Sequence, residues 1–103
     1  MNHWYVYIMT NKPNGVLYIG VTNNIEERVK EHKLKIYPKS FTAKYNCNKL
    51  VYFEEFDKGS EAEKRETQFK KWKRNWKIEL IESMNPGWMD FSMNWNMNYN
   101  RLR

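Results

Sequence analysis

The segment Val16-Leu17-Tyr18-Ile19-Gly20-Val21-Thr22-Asn23-Asn24-Ile25-Glu26-Glu27-Arg28-Val29-Lys30-Glu31-His32 changes period in its middle. Residues 16–20 are β-branched and aromatic and read as a strand. Thr22, Asn23 or Asn24 can then cap a helix, and Asn24 with Glu27 has capping-box spacing. In that helix Ile25 and Val29 lie four apart. Arg28 and His32 fall at +3 and +7 from Ile25, on the same stripe. Glu26, Glu27, Lys30, Glu31 and Lys33 take the solvent side. An arginine and a histidine thus hold positions that small domains normally give to Leu, Val or Ile, directly after a strand bearing Tyr18.

Upstream, Trp4-Tyr5-Val6-Tyr7-Ile8-Met9 reads as a partner strand. Asn11-Lys12-Pro13-Asn14-Gly15 is the turn between the two: Pro13 presets φ, and Asn14-Gly15 tolerates positive φ. A register with Met9 opposite Val16 sets Tyr7 opposite Tyr18, two phenols on one face.

Downstream, residues 34–48 read as irregular, with Pro38, Ser40, Asn46 and Asn48. Thr42 and Lys44 in this loop are weaker candidates for phosphate contact. Residues 50–56 form a third strand, ended by Asp57-Lys58-Gly59. Ser60-Glu61-Ala62-Glu63 has the capping-box pattern and opens the main helix. That helix runs to about Met84, with a break near Asn75 open, and Asn85-Pro86-Gly87 stops it. Its buried stripe is Ala62, Glu66, Phe69, Trp72, Trp76, Leu80 and Ile81. Glu66 therefore faces the core, where a lone carboxylate costs several kcal/mol unless paired or bound to a cation. Trp88 to Phe91 is expected to fold back as a hydrophobic clasp. Residues 92–103 form an Asn/Met-rich tail, for which an extra edge strand and disorder are equally open.

The chain has 103 residues, enough for one domain with a modest core. Hydrophobic residues make up 41% and aromatics 17%, so the chain has the means to fold. Net charge is +6 and the pI about 9.4, which favours a polyanionic partner. Lys64, Arg65, Lys70, Lys71, Lys73, Arg74 and Lys77 cluster along the main helix, with Trp72 and Trp76 interleaved. They look like a ridge that binds a nucleic-acid backbone, with the tryptophans mainly in the core. Cys47 is the single cysteine, so an intrachain disulfide is excluded. Only His3 and His32 could join it in a zinc site, which argues against one. A secretory leader is not recognisable, and nothing approaches the roughly 20 apolar residues of a membrane span. A cytoplasmic protein is the expectation.

The order of strand, turn, Tyr18-Ile19-Gly20, Arg28, His32 and a later helical Glu66 resembles the GIY-YIG nuclease superfamily. The likeness is greatest to its small stand-alone bacterial members, which are related to the N-terminal catalytic domain of the excision-repair nuclease C subunit. It extends over residues 4–91 and includes Lys70-Lys71-Trp72-Lys73-Arg74 and Asn85-Pro86-Gly87-Trp88. One departure stands out: the first motif reads Tyr5-Val6-Tyr7, so its glycine is lost and its tyrosine kept. The resemblance implies a mixed α/β domain over residues 1–91, with a small, mostly antiparallel three-stranded sheet flanked by helices. It implies an endonuclease that hydrolyses DNA to a 5′-phosphate and a 3′-hydroxyl. By the same resemblance Glu66 holds one divalent cation, Mg²⁺ or Mn²⁺, a hard ion suited to a carboxylate oxygen. Arg28 forks onto phosphate oxygens. Tyr7 or Tyr18 orients or deprotonates the attacking water, helped by a cation drawn from Arg28, Lys44 or the metal. His32 hydrogen-bonds the tyrosine or relays protons. Gly20 lets the backbone pass beneath the site.

Taken singly, each residue has a structural explanation too. Tyr7 and Tyr18 fit an aromatic cross-strand pair, Arg28 a snorkelling side chain, His32 a satisfied half-buried histidine, and Glu66 an ion pair with Arg28. Together, in one order, they favour an active site. The expected substrate is DNA, with RNA open, and no membrane. Low sequence preference is expected, with selectivity for DNA structure in repair or recombination, or a protein partner that supplies the target, both open. A monomer or weak homodimer suits the size. The alternative is a non-catalytic nucleic-acid-binding module that keeps the fold.

Overall fold

The computed structural model describes residues 3–95. Three antiparallel strands, β1 (Trp4–Thr10), β2 (Leu17–Thr22) and β3 (Lys49–Phe56), form one sheet in the order β2-β1-β3. Helices α1 (Ile25–Lys33) and α2 (Phe41–Lys44) lie between β2 and β3 in the chain, and α3 (Gly59–Lys71) and α4 (Arg74–Met84) follow β3. A 3-10 turn, Phe91–Trp95, closes the described chain. This is the mixed three-stranded architecture expected from the sequence.

The central strand explains the layers. Val6, Tyr7, Ile8 and Met9 are all fully buried, because β1 is covered on both faces. Successive side chains alternate. Val6 and Ile8 join Ile19, Val51, Tyr52, Ala62, Phe69, Ile81 and Trp88 in one core. Tyr7 and Met9 join Ile25, Val29, Cys47 and Leu50 in the other. So α3 and α4 cover one face and α1 the other. Opposite Ile8 and Met9 the β1–β3 register skips Val51. That bulge sends both Val51 and Tyr52 into the same core.

Several local expectations need correction. Thr10 pairs with Leu17, so Met9 faces Tyr18 and Tyr7 faces Gly20, two residues away from the expected register. The turn is longer because Asn11 Oδ1 accepts the Val16 N–H and the Lys12 carbonyl accepts the Gly15 N–H. A slip of two keeps every side chain on its face, so Tyr7 and Tyr18 still meet, with ring centroids 6.1 Å apart. The Ser60–Glu63 capping box does not form. Helix α3 begins at Gly59, its N-cap is Lys58, and no side chain caps it. The long helix breaks at Trp72 and Lys73, both extended with ψ near 150°, rather than near Asn75. Neither a proline nor a glycine marks the break. Trp76 on the far side is 52% exposed, so it is not core. Within the loop expected to be irregular, Ser40 accepts the Ala43 N–H and caps the single turn of α2.

The clasp at Trp88 to Phe91 packs closely. Asn85 is buried and gives its Nδ2 to the Val51 and Met89 carbonyls, while its Oδ1 accepts the Met89 N–H. Trp88 is buried and donates to Glu82. Asp90 accepts from the Leu50 N–H, from Ser92 and, at 2.6 Å, from Lys33 Nζ. Burial pushes the Asp90 pKa up, but Lys33, Ser92 and the Leu50 N–H more than offset it and hold the carboxyl low. Packing continues past Phe91, since Ser92 is fully buried and Trp95 lies against the Tyr7 core. Residues 93–95 therefore turn rather than form an edge strand. The rest of the tail, residues 96–103, lies outside the described residues. Among the described residues no helix is long and apolar enough to cross a membrane.

Candidate active site

Gly20 sets the floor of the site. It lies directly across from Tyr7, and a Cβ placed on it would stand 2.5 Å from the Tyr7 hydroxyl oxygen and 2.6 Å from Cζ. The Tyr7 ring therefore lies flush on the β2 backbone, a position open only to a residue without a side chain. The Gly-to-Tyr5 departure in the first motif matters less. Tyr5 is half-buried and packs edge-on against Phe53 at 6.2 Å.

Helix α1 brings in the polar groups. Asn24 Oδ1 accepts the Glu27 N–H and fixes the start of the helix, and Ile25 and Val29 seat it on the sheet. One turn apart, Arg28 and His32 then point back toward the tyrosines. His32 Nε2 is 2.9 Å from the Tyr7 hydroxyl, and His32 Nδ1 is 2.8 Å from Thr42 Oγ1. Thr42 Oγ1 in turn lies 3.2 Å from Ser40 Oγ. Tyr7, His32, Thr42 and Ser40 form one chain of hydrogen bonds from the sheet through α1 to α2. Thr42 is buried, so its hydroxyl serves His32 and not a phosphate. The sequence reading took this segment as irregular and missed that role; Ser40, a residue type that caps helices, was the signal that could have found it.

Electrostatics separates the two phenols. Burial, and then the Tyr18 phenol beside it, raises the Tyr7 pKa well above its usual 10. The positive charge of the nearby Arg28 guanidinium pulls the other way, without winning. Tyr7 therefore keeps its proton. Tyr18 is only half-buried, with its ring 5.9 Å from Phe41 and 5.5 Å from His32. Burial, reinforced by Arg28, lowers the His32 pKa to about 4. His32 is thus neutral at pH 7. It holds Tyr7 by one ring nitrogen and Thr42 by the other.

A consequence follows for acid stability. The unfolded chain binds a proton at an ordinary histidine pKa near 6.5, and the folded chain only near 4. His32 therefore costs stability as pH falls from about 6.5 to about 4. Urea titrations of the wild type should show a falling midpoint across that window, and His32→Gln should flatten it. An equally steep fall in His32→Gln would assign the effect to other groups.

Arg28 donates Nε to Glu31 at 3.1 Å, and 41% of its side chain remains exposed. It does not pair with Glu66. Glu66 instead accepts from Lys70 at 3.1 Å, one turn on, with 23% of its side chain exposed. Lys70 and Lys77 line a groove of about 300 Å³ together with Leu17, Tyr18, Ile19 and Phe41. Glu66 is thus joined to the groove through Lys70, which lines it.

The other basic residues do not form one ridge. Arg65 donates from Nε and Nη2 to Glu54 and lies over the Phe69 ring, 4.4 Å from its centroid. Arg74 donates to the Asn14 and Gly15 carbonyls and ties α4 to the β1–β2 turn. Both arginines hold the fold. Lys64 and Lys71 line a separate depression with Phe56 and Glu61. Lys73 is exposed between α3 and α4. Lys44 lies 5.3 Å from the Tyr45 ring centroid, so Arg28 is the cation beside the Tyr7 hydroxyl. Phe41, which no sequence pattern singled out, is the aromatic wall of the groove.

The sequence pattern of the GIY-YIG catalytic domain matches residues 3–79, a span that contains all of these site residues. The chain belongs to the GIY-YIG family. A UPF0213 protein of Clostridium perfringens is 46% identical over 79 residues, 77% of this chain and 83% of that one. A UPF0213 protein of Syntrophus aciditrophicus is 41% identical over 86 residues, 84% and 97% of the two chains. The solution NMR structure of a UPF0213 protein from Bacillus halodurans superposes with a TM-score of 0.53 at 28% identity, covering 87% of this chain and 93% of that one. The GIY-YIG domain is a nuclease domain, and the family points to DNA as the ligand.

GIY-YIG nucleases generally use a divalent metal. Among the described residues no group of three His, Cys, Asp or Glu side chains converges. The donor set around Glu66 is one carboxylate, partly open to solvent and held by a lysine on a flexible stem. That fits a hard ion which keeps most of its waters and takes its remaining oxygens from a phosphate. It does not fit a tightly caged ion.

Proposed function

We propose that this GIY-YIG protein is a divalent-metal-dependent endonuclease that hydrolyses DNA phosphodiester bonds with low sequence preference. The observation that carries this reading is the groove. It joins a half-buried phenol, Tyr18, to two lysines, Lys70 and Lys77, with Glu66 paired to one of them and the Tyr7–His32 hydrogen bond next to Tyr18.

In this reading Lys70 and Lys77 draw the backbone into the groove. Arg28 lies half-exposed beside the phenols and offsets charge on the phosphate oxygens as it builds. Tyr18, having first given its own phenolic proton to solvent, orients the attacking water and takes its proton as a phenolate. Tyr7 positions the site: its proton-keeping hydroxyl and its contact with Gly20 hold Tyr18 and His32 in place. The water oxygen bonds to phosphorus, the bond from phosphorus to the 3′ oxygen breaks, and solvent protonates the leaving oxygen. The metal, when bound at Glu66, supplies Lewis-acid stabilisation of that leaving oxygen. Lys70 must release Glu66 for this, an exchange that a half-exposed pair allows at little cost.

The test is cleavage of supercoiled plasmid, duplex, single-stranded and branched DNA with Mg²⁺ or Mn²⁺. Wild type is run beside Glu66→Ala, with EDTA controls. Cleavage by the wild type that EDTA abolishes and Glu66→Ala reduces to background is the expected result. Absence of cleavage on every substrate, with equal DNA binding by both proteins, would leave a binding module that keeps the fold.

A further inference from the structure

Between α1 and β3 the chain exposes an unusual run of apolar side chains: Leu34, Ile36, Tyr37, Phe41 and Tyr45. The underside of this segment is well anchored. Thr42 and Ala43 are buried, and Thr42 is hydrogen-bonded to His32. The exposed aromatics are therefore presented on a fixed base rather than left over from poor packing. Phe41 is 44% exposed and Tyr45 42%. The Phe41 ring stacks on Tyr18 with centroids 5.9 Å apart and planes 30° apart, and lies 4.7 Å from the Tyr45 ring. Tyr18, Phe41 and Tyr45 thus make a continuous aromatic shelf leading out of the groove. Lys70 and Lys77 flank its inner end, and Lys44 stands at its outer end over Tyr45.

We propose that Phe41 and Tyr45 form a stacking subsite for an unpaired base of the DNA strand being cut, one step from the phosphate at Tyr18. The proposal rests on the nuclease reading above and narrows its substrate to single-stranded or locally unpaired DNA. A base inside a duplex has both faces covered by its neighbours and has none to offer a protein ring. An unpaired base offers its whole face, and stacking on aromatic side chains between cations is how single strands are held without regard to sequence. The charges suit this occupant. Lysines at both ends of an apolar shelf track phosphates on either side of a stacked base, whereas an apolar protein partner would gain nothing from them. Rings flanked by lysines hold bases and phosphates without reading base edges, which agrees with low sequence preference.

The experiment measures binding by the full chain in EDTA, so that cleavage plays no part. Short single strands and duplexes of the same sequence are titrated by fluorescence anisotropy. A single strand carrying the fluorescent base aminopurine reports stacking through quenching. Wild type is expected to favour the single strand and to quench aminopurine. Phe41→Leu keeps an apolar side chain against Tyr18 but offers no ring. It should weaken single-strand binding about tenfold or more, leave duplex binding unchanged and abolish quenching. Phe41→Trp should retain both, and Tyr45→Leu should lose part of each. The proposal is overturned if wild type binds both forms equally, or if Phe41→Leu weakens both equally or neither. An outcome in which a partner protein covers the shelf would show as unquenched aminopurine in every variant, and would also overturn it. Because the measurement needs no metal, a protein that quenches aminopurine but cuts nothing keeps the subsite and loses only the nuclease reading.

Discussion

Gly20→Ala is expected to lower the melting temperature of the protein by more than about 10 °C and to abolish cleavage. The added methyl would stand 2.5 Å from the Tyr7 hydroxyl oxygen. Tyr7 has no room to retreat, since it is fully buried among Met9, Ile25, Val29, Cys47 and Leu50 and is tied to His32. Overpacking of this kind costs about 1–3 kcal/mol, and more where the surroundings cannot yield. At the upper end that corresponds to a Tm fall of about 12–24 °C for a domain of this size. Any relief must move the Tyr7 ring, which breaks its contact with His32 and shifts Tyr18. Thermal unfolding followed by circular dichroism reads the first effect, and plasmid cleavage at a temperature where the variant is folded reads the second. A Gly20→Ala protein with wild-type Tm would show that β2 and Tyr7 separate easily and that the floor of the site is not rigid.

Tyr18→Phe should lower kcat by about 10²–10⁴-fold, the usual contribution of a positioned proton acceptor, while leaving stability and DNA binding near wild type. Tyr7→Phe should behave differently. It leaves the half-buried His32 Nε2 without its partner, at a cost of about 1–3 kcal/mol in stability, with a smaller loss in kcat. The two phenols part in this way because of their burial. Desolvation raises the Tyr7 pKa, so a mechanism that used Tyr7 as base would keep accelerating as pH rose beyond 10. Titration of the wild-type rate against pH, compared with Tyr18→Phe, separates the cases. Loss of the wild-type pH dependence in Tyr18→Phe supports Tyr18. A rate that still climbs steeply above pH 10 in Tyr18→Phe would move the base to Tyr7.

Gly20 was legible in the sequence, through the family resemblance, as the residue that lets the backbone pass beneath the site, but the ring that lies on it was not, because that depends on a register. The sequence placed Tyr7 opposite Tyr18, and the structure places it opposite Gly20. Nothing local fixes the length of a turn in which the Asn11 side chain takes the role of a backbone acceptor. The period of a strand is two, so the error moved no side chain to the wrong face. The phenols met in either register.

Local chemistry alone determined a good deal. Asn24 caps α1 where its spacing to Glu27 indicated, and the 3.6 period of that helix sets Ile25, Arg28, Val29 and His32 on one stripe. β-branched and aromatic runs gave the three strands, and turn residues their limits. The order Tyr18, Arg28, His32, Glu66 carried the family, because that order is written in the chain itself. What the sequence left open depended on contacts between residues far apart. The break between α3 and α4 has no proline or glycine to announce it. The Ser60 box lost to a helix that starts one residue earlier. Arg65 and Arg74 look like any other cations in the chain, yet one is held by Glu54 and the other by carbonyls of the first turn. The neutrality of His32, the retained proton of Tyr7 and the exposure of Phe41 are likewise products of burial. Burial is a sum over neighbours brought together by the whole fold, so periodicity can name the residues of the site but only tertiary packing assigns their protonation and their access to a substrate.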